Sequence, residues 1–226
     1  MDKPKIELIK TRLFGFLNEK LEKNDFKYIK SEDGFRRNLK NSIELLKFNF
    51  YYYHIGGNST EIEPWIYIQD KSIAKFYSNF SAWDKQFIKG KLYSIGGRMT
   101  DIYKLEDYEP NNKNFGEIRW SVETYSDIDT ILPMISNAID IIALPYFNKY
   151  SSIETIEGIL NDTSNILTKH CMLNPLRFIH GLIAAKLTNN PKFSELKEFY
   201  INYFLDNDIP EEWMKDFMKI LTAIQT

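Results

Sequence analysis

The feature that most constrains the fold is the separation of strand-like from helix-like sequence along the chain. Alternation of apolar and polar residues, the pattern of a half-buried strand, occurs at 42–55, 61–69 and 117–125. Apolar spacings of three and four, typical of amphipathic helices, occupy 5–24 and return from residue 126 to the end. This order predicts an α+β fold. We expect an N-terminal helix, a twisted antiparallel sheet of about four to six strands with packed helices, and a helical C-terminal segment.

Turn and strand signals refine the N-terminal half. The Asp33-Gly34 pair predicts a short hairpin. The alternation changes phase near Leu45 and Leu46, which predicts a bulge or a strong twist. Pro64 predicts that its strand lies at a sheet edge or contains a bulge.

Capping residues, prolines and glycines predict the bounds of further helices and strands. Asp70 is suited to cap a helix over 71–80, and Ser126 starts a Ser-x-x-Asp capping signature. Pro145 is expected to end the helix that Ser126 begins. Residues 91–95 and 102–105 are expected to be short strands around the second Gly-Gly pair. In the N-terminal helix, the apolar stripe is expected to bury Phe16.

A domain boundary is placed at the polar run Asn161–Ser164. The sequence therefore predicts an α+β domain at 1–163 and a helical C-terminal extension or subdomain at 164–226.

Composition excludes several classes of protein. With 34 aromatic residues the chain is expected to bury a core, and its net charge of −2 gives no reason to expect a nucleic-acid partner. One cysteine, Cys171, rules out an internal disulfide and suits a reducing cytosol. The near-apolar stretch Ile139–Phe147 is too short for a membrane span, and no secretory signal is seen. We expect a cytoplasmic protein without a membrane or nucleic-acid partner and without a cofactor or metal.

A catalytic interpretation rests on few residues. His54 ends an aromatic strand, and Glu61 and Glu63 share one strand face about 7 Å apart, a separation that two-carboxylate hydrolysis can use. A solvated strand face explains the same glutamates. The three histidines are too scattered for a metal site, and His180 lies on an apolar helix stripe that predicts packing.

The strongest candidate for a binding surface is the outer face of the sheet. If Ile62, Ile66 and Ile68 point to the core, Trp65 and Tyr67 point the other way. The same face is expected to carry Arg98, Arg119 and Glu123. Trp, Tyr and Arg dominate the binding energy of protein interfaces. The competing interpretation is that the C-terminal helices cover this face as a second core layer.

Scattered motifs resemble those of a bacterial family catalogued as domain of unknown function 4304. They are Gly34–Arg37 after the leading helix, the aromatic strand Phe48–Tyr53, Gly97–Tyr103 and Ile141–Phe147. The resemblance covers roughly residues 5–160. It implies an α+β fold and supplies no catalytic residues, and proteins of this kind are sometimes suspected of roles in toxin immunity.

The sequence therefore predicts a non-catalytic protein–protein interaction module, with a toxin-immunity-like role as its most concrete form. A small hydrolase using His54 with Glu61 or Glu63 is the alternative. A homo-oligomerising structural protein is the third interpretation.

Overall fold

The computed structural model describes residues 3–53, 59–81, 93–105, 117–164, 170 and 174–225. Within these ranges the chain has an α+β fold, as predicted. The elements are α1 (Lys3–Glu22), β1 (Lys27–Ile29), a 3-10 turn (Lys30–Glu32), β2 (Gly34–Asn38), β3 (Ser42–Tyr53), β4 (Ser59–Asp70), α2 (Lys71–Phe80), β5 (Ile95–Arg98), α3 (Met99–Leu105), β6 (Trp120–Val122), α4 (Asp127–Ala138), a π-helical segment (Ile139–Ala143), α5 (Leu144–Lys149), α6 (Ile153–Leu160), α7 (Asn174–Leu187), α8 (Phe193–Asp206) and α9 (Glu211–Gln225).

The six strands form one sheet in the order β1-β2-β3-β4-β5, and β6 pairs with β4 off this path. β4 is therefore an interior strand, so the prediction that Pro64 marks a sheet edge was wrong. β6 pairs with Thr60–Ile62 of β4, and Pro64 lies just beyond this ladder. A proline lacks a backbone N–H, and it is tolerated at this position because the β6 ladder has already ended.

The predicted hairpin is confirmed, but the bulge is not. Asp33 adopts the left-handed conformation (φ 48°) before β2. β2 then pairs with β3 without interruption from Gly34↔Lys47 to Asn38↔Ile43. The alternation changes phase because Leu45 and Leu46 are both buried, on opposite faces of β3.

Helix α1 packs on the sheet, but its aromatic residues are arranged differently from the prediction. Phe16 is 45% exposed, so its assignment to the core was wrong. Phe14 is buried instead. Its ring lies 4.7 Å from that of Tyr28 and 5.9 Å from that of Phe48, because this side of α1 faces the strands.

Helix capping matches the sequence at Asp70 and differs from it at Ser126. Asp70 accepts hydrogen bonds from the backbone N–H groups of Ser72 and Ile73 at 2.9 and 3.0 Å, so α2 begins as predicted. Ser126 makes no side-chain capping bond. Asp127 accepts instead from the N–H of Thr124 at 2.7 Å and fixes the turn before α4.

Two expected secondary-structure boundaries are wrong. The glycine pair lies inside β5, and α3 begins at Met99, so 102–105 is helical rather than a strand. The helical path that begins at Asp127 continues past Pro145 to Lys149. The π-helical segment Ile139–Ala143 precedes this proline, and such irregular turns accommodate a residue without a backbone donor.

The run Asp127–Lys149 has a mean hydropathy of 1.4 and is long and apolar enough to cross a membrane by length and composition alone. Half of its most apolar window is nevertheless buried inside the fold, and Ile128, Ile135, Ile139 and Ile142 have no exposed surface. This is the pattern of a core helix, so the described chain is compatible with a soluble protein.

The chain forms two compact units. The first contains Met1–Leu39, Ile43–Tyr67 and Gly97–Asn148, and within it α1 packs against α4. The second contains Lys40–Ser42, Ile68–Gly96 and Lys149–Thr226, and within it α7 packs against α2, α6, α8 and α9. These units do not follow the boundary expected at residue 163, and the separate folding of 1–163 and 164–226 stays a prediction.

Candidate functional site

The alternation of β4 divides its residues between two environments. Ile62, Ile66 and Ile68 are fully buried, as predicted. Trp65 and Tyr67 point to the opposite face, where both are half-buried. This outer face is therefore the part of the sheet in which polar and aromatic side chains meet.

Arg119 joins two strands of this face. β6 pairs in the register Glu61↔Ser121 and Ile62↔Trp120, which places Arg119 across from Glu63. Its guanidinium donates from Nη1 to Glu61 Oε2 at 2.8 Å and from Nη2 to Glu63 Oε1 at 3.1 Å. One cation therefore bridges two carboxylates.

Glu63 is the buried centre of the cluster. Its side chain is 4% exposed, and it accepts hydrogen bonds from Arg119, from Trp65 Nε1 at 2.7 Å and from the Tyr51 hydroxyl at 3.1 Å. A carboxylate this deeply buried is stable only when donors and a positive charge compensate its lost hydration. These three donors also fix the orientation of Trp65 and Tyr51.

The aromatic rings of the cluster remain partly accessible. Trp65 and Tyr67 stack with 5.9 Å between ring centroids and 25° between planes. Tyr51 is 36% exposed, and the Arg119 guanidinium lies 5.9 Å from its ring centroid. We call the six residues of this cluster the aromatic–arginine face: Tyr51, Glu61, Glu63, Trp65, Tyr67 and Arg119.

The electrostatics of the face follow from these contacts. Partial burial raises the pKa of Tyr51, and the negative charge of Glu63 raises it further, so the hydroxyl stays a donor. Burial alone lowers the pKa of Arg119, but hydrogen bonding to Glu63 and the charge of Glu61 outweigh it and raise the pKa overall. The guanidinium is therefore a permanent cation.

Two further predicted site residues lie outside the cluster. Arg98 makes a bidentate contact with Asp101 at 2.7 and 3.2 Å, and this hydrogen bonding is the main cause of its raised pKa. Glu63 and Arg119 also influence that pKa, so Arg98 lies near the face while its guanidinium is held by Asp101. Glu123 is exposed beyond the end of β6, and among the described residues its one hydrogen bond is from its backbone N–H to Asp127 Oδ2 at 3.0 Å.

The residues of the hydrolase alternative are placed less favourably. His54 lies outside the described residues, as does Cys171. Glu61 and Glu63 both bind the same guanidinium, so neither is an unpaired acid or base. Within the described ranges no group of three or more His, Cys, Asp or Glu residues is arranged to hold a metal ion.

Sequence reasoning missed Tyr51, which it treated only as a strand former. The bulge expected at Leu45–Leu46 left open which face of the sheet the later residues of β3 share. In an uninterrupted β3, residues 47, 49, 51 and 53 share one face, and this places Tyr51 beside the aromatics of β4.

Exchange of Arg119 for glutamine is expected to lower the free energy of unfolding by about 2 kcal/mol, because the buried Glu63 loses its charge partner. Glu63→Gln in the same chain should restore about 1 kcal/mol, since a neutral amide needs no cation. Urea unfolding at pH 7 of the unmodified chain, the two single variants and the double variant gives the double-mutant cycle. Arg12→Gln is the control, because Arg12 and Asp129 are both more than half exposed, and a change below about 0.5 kcal/mol is expected. Strict additivity of the Arg119 and Glu63 changes would contradict the pairing.

Comparisons with protein-family models, with curated proteins and with solved structures found no match. The resemblance to domain of unknown function 4304 stays a prediction from its motifs.

Proposed function

We propose that the protein is a non-catalytic protein–protein interaction module and that the aromatic–arginine face is its binding surface. The observation that carries the proposal is the half-exposed Trp65–Tyr67 stack, whose tryptophan is held by a hydrogen bond to the buried Glu63.

Rigid side chains favour binding because little conformational entropy remains to be lost. Ordering a flexible side chain at an interface costs about 0.5–1.5 kcal/mol. Here Trp65, Tyr51 and Arg119 are already held by Glu63. Tryptophan, tyrosine and arginine are also the residues most often found at the energetic centre of interfaces.

Charge favours a basic partner. The face contains one cation and two carboxylates, and the side chain of Glu61 is 25% exposed. Residues 101–165 carry 4 basic and 12 acidic side chains, a net charge of −8. Association with a cationic surface is accelerated by such a field. The most concrete form of the function is a cytoplasmic, immunity-like partner of a basic toxin, which rests on the family resemblance.

The proposal is tested by affinity capture with the full chain and a double variant, Trp65→Ala with Glu61→Lys. This variant removes one aromatic anchor and reverses the charge of the partly exposed Glu61 but leaves Arg119 paired with Glu63. We expect a bound protein to be recovered in stoichiometric amount by the unmodified chain. Its affinity for the purified variant should fall by at least about 30-fold, the effect of a loss of about 2 kcal/mol.

Glu123→Lys is the matched control, because it makes the same charge change at an exposed residue outside the cluster. It should retain the partner with an affinity within about threefold of the unmodified chain. Equal recovery of the same proteins by the double variant, with circular dichroism showing both chains folded, would refute the proposed surface. Arg119→Ala is unsuitable for this test because it would destabilise the buried Glu63.

A further inference from the structure

Strand β3 extends beyond the strand that pairs with it on one side. The register of β2 ends at Gly34↔Lys47, and the Phe48 N–H then donates to the Asp33 carbonyl at 2.9 Å. β3 continues to Tyr53. In the described part of the chain, β2 is the only neighbour on this side, and it ends before it reaches Phe50.

The backbone groups that face this edge follow from strand geometry. In an antiparallel pair the N–H and C=O of alternate residues point to the same neighbour. Because the Phe48 N–H points towards β2, the N–H and C=O of Phe50 point to the same side, past the end of β2. An unpaired edge of this kind is a template for another extended chain.

Open space lies beside the edge. One groove of about 500 Å³ is lined by residues that include Ile6, Lys10, Asp33, Phe50 and Tyr51. A second groove of about 600 Å³ shares Lys10 and Asp33 with it. Both volumes fall in the range of known binding cavities.

Aromatic rings line both grooves. Phe14 and Tyr28 line the second groove, and the ring centroid of Phe14 lies 6.2 Å from that of Phe50 in the first. Tyr28 and Tyr51 are each 36% exposed. Side chains of an added strand would therefore meet apolar surface on both sides of its backbone.

The charges around the grooves indicate the character of the occupant. Lys10 is paired with Asp33 at 2.8 Å and lies 5.0 Å from the Phe50 ring centroid. Lys30 lines the second groove and Lys47 the first, and neither makes an ion pair with a described residue. Glu7 also lines the second groove and offsets the charge of Lys30 there. The preference for an acidic side chain in the occupant therefore comes from Lys47 in the first groove.

We propose that an extended segment of another protein, with apolar residues and at least one acidic residue, adds to the sheet as a strand beside Phe50. Main-chain hydrogen bonds to Phe50 would supply affinity, and the grooves would select the side chains. A second copy of this chain fits less well, because its own β3 would bring Lys47 into the same lysine-lined groove. This inference rests on the proposed function in that the partner is a protein. The two surfaces share Tyr51, but the added strand would contact the backbone of Phe50 rather than Trp65 and Tyr67.

The test uses a displayed library of random 12-residue peptides, selected on the full chain. The selected peptides are then measured against Phe50→Pro, which removes the N–H at the edge, and Phe50→Leu, which keeps it. Proline is tolerated at a strand edge where no ladder bond is lost. We expect micromolar binders enriched in acidic and apolar residues. Phe50→Pro should weaken them at least 10-fold and Phe50→Leu by less than threefold.

Amide hydrogen exchange supplies a readout that does not depend on a variant. The Phe50 N–H should exchange at least 10-fold more slowly with peptide bound. Failure to select any binder, equal binding to Phe50→Pro, or unchanged exchange at Phe50 would overturn the inference. A dimer of this chain that Phe50→Pro abolishes would overturn it as well. The Trp65→Ala, Glu61→Lys double variant should bind these peptides with unchanged affinity. Failure of the strand-addition proposal can therefore be distinguished from failure of the proposed aromatic–arginine face.

Discussion

Replacing Arg177 by methionine is expected to lower the free energy of unfolding by about 3–5 kcal/mol. The arginine is 1% exposed on α7 and points at the last turn of α6. Its Nε donates to the Leu160 carbonyl at 3.0 Å, and its Nη2 donates to the Asp162 carbonyl at 2.8 Å. The last carbonyls of a helix have no partner within the helix, so this side chain supplies one.

The cost is large because removal of the guanidinium takes charged donors away from the carbonyls at the end of α6, and the Leu160 carbonyl keeps only the longer contact from the Tyr200 hydroxyl at 3.3 Å among the described residues. Each hydrogen bond to a charged group contributes about 1.5–3 kcal/mol. Arg177→Lys should recover only part of the loss, since a lysine cannot reproduce the planar fork that reaches both carbonyls.

Urea unfolding at pH 7 measures this effect. Lys186→Met is the matched control, because it removes a charge from an exposed position of the same helix. It should change stability by less than about 0.5 kcal/mol. An Arg177→Met protein within about 1 kcal/mol of the unmodified chain would show that the capping contacts are not important for the second unit.

Acid should destabilise the protein through His180. The ring is fully buried on α7, 5.2 Å from the ring of Tyr77, and neither ring nitrogen has a hydrogen-bond partner among the described residues. The Tyr77 hydroxyl is directed elsewhere, to Asp216 at 2.7 Å. Burial lowers the pKa of His180 from 6.5 to about 3, because a charged imidazole would lose its hydration in this buried site.

The direction of the pH effect follows from linkage. Between pH 6.5 and about 3, the unfolded chain binds a proton at this histidine and the folded chain does not. Stability therefore falls as the pH drops through this window, by about 1.4 kcal/mol per pH unit well below 6.5. At pH 5 the loss from this group is about 2 kcal/mol, and above pH 7 it vanishes.

His180→Leu is the variant that isolates this contribution, since leucine fills similar space without a titratable group. Urea unfolding at pH 7 and pH 5 should show that the variant loses about 2 kcal/mol less than the unmodified chain over this interval. Carboxylates elsewhere titrate in both chains and cancel in the comparison. An identical pH dependence would mean that His180 is solvated or protonated in the folded state.

Several features were predictable because they depend on local sequence. The Asp70 cap needs only a carboxylate before the first helical N–H groups. The isoleucines of β4 and the Ile118, Trp120 and Val122 series are buried because alternation assigns a face wherever one side of a sheet packs. The burial of His180 followed from its place on an apolar helix stripe.

Features that depend on non-local pairing could not be read from the sequence. The contact of Arg119 with Glu63 requires the register between β6 and β4, and no local pattern specifies that register for residues 56 positions apart. Glu44 appears polar in the sequence but is fully buried, because Arg37 of the neighbouring strand binds it at 2.6 Å. Burial raises the pKa of Glu44 despite this partner.

The central claim is that the aromatic–arginine face contacts a protein partner in the cell. Site-specific photo-crosslinking tests it most directly. Benzoylphenylalanine is placed at Tyr67, which is half-buried within the face and lines neither groove beside β3, and separately at Tyr125, which is 47% exposed outside the face. We expect one discrete adduct from position 67 and none from position 125. Absence of an adduct at position 67, or the same adducts from both positions, would contradict the claim.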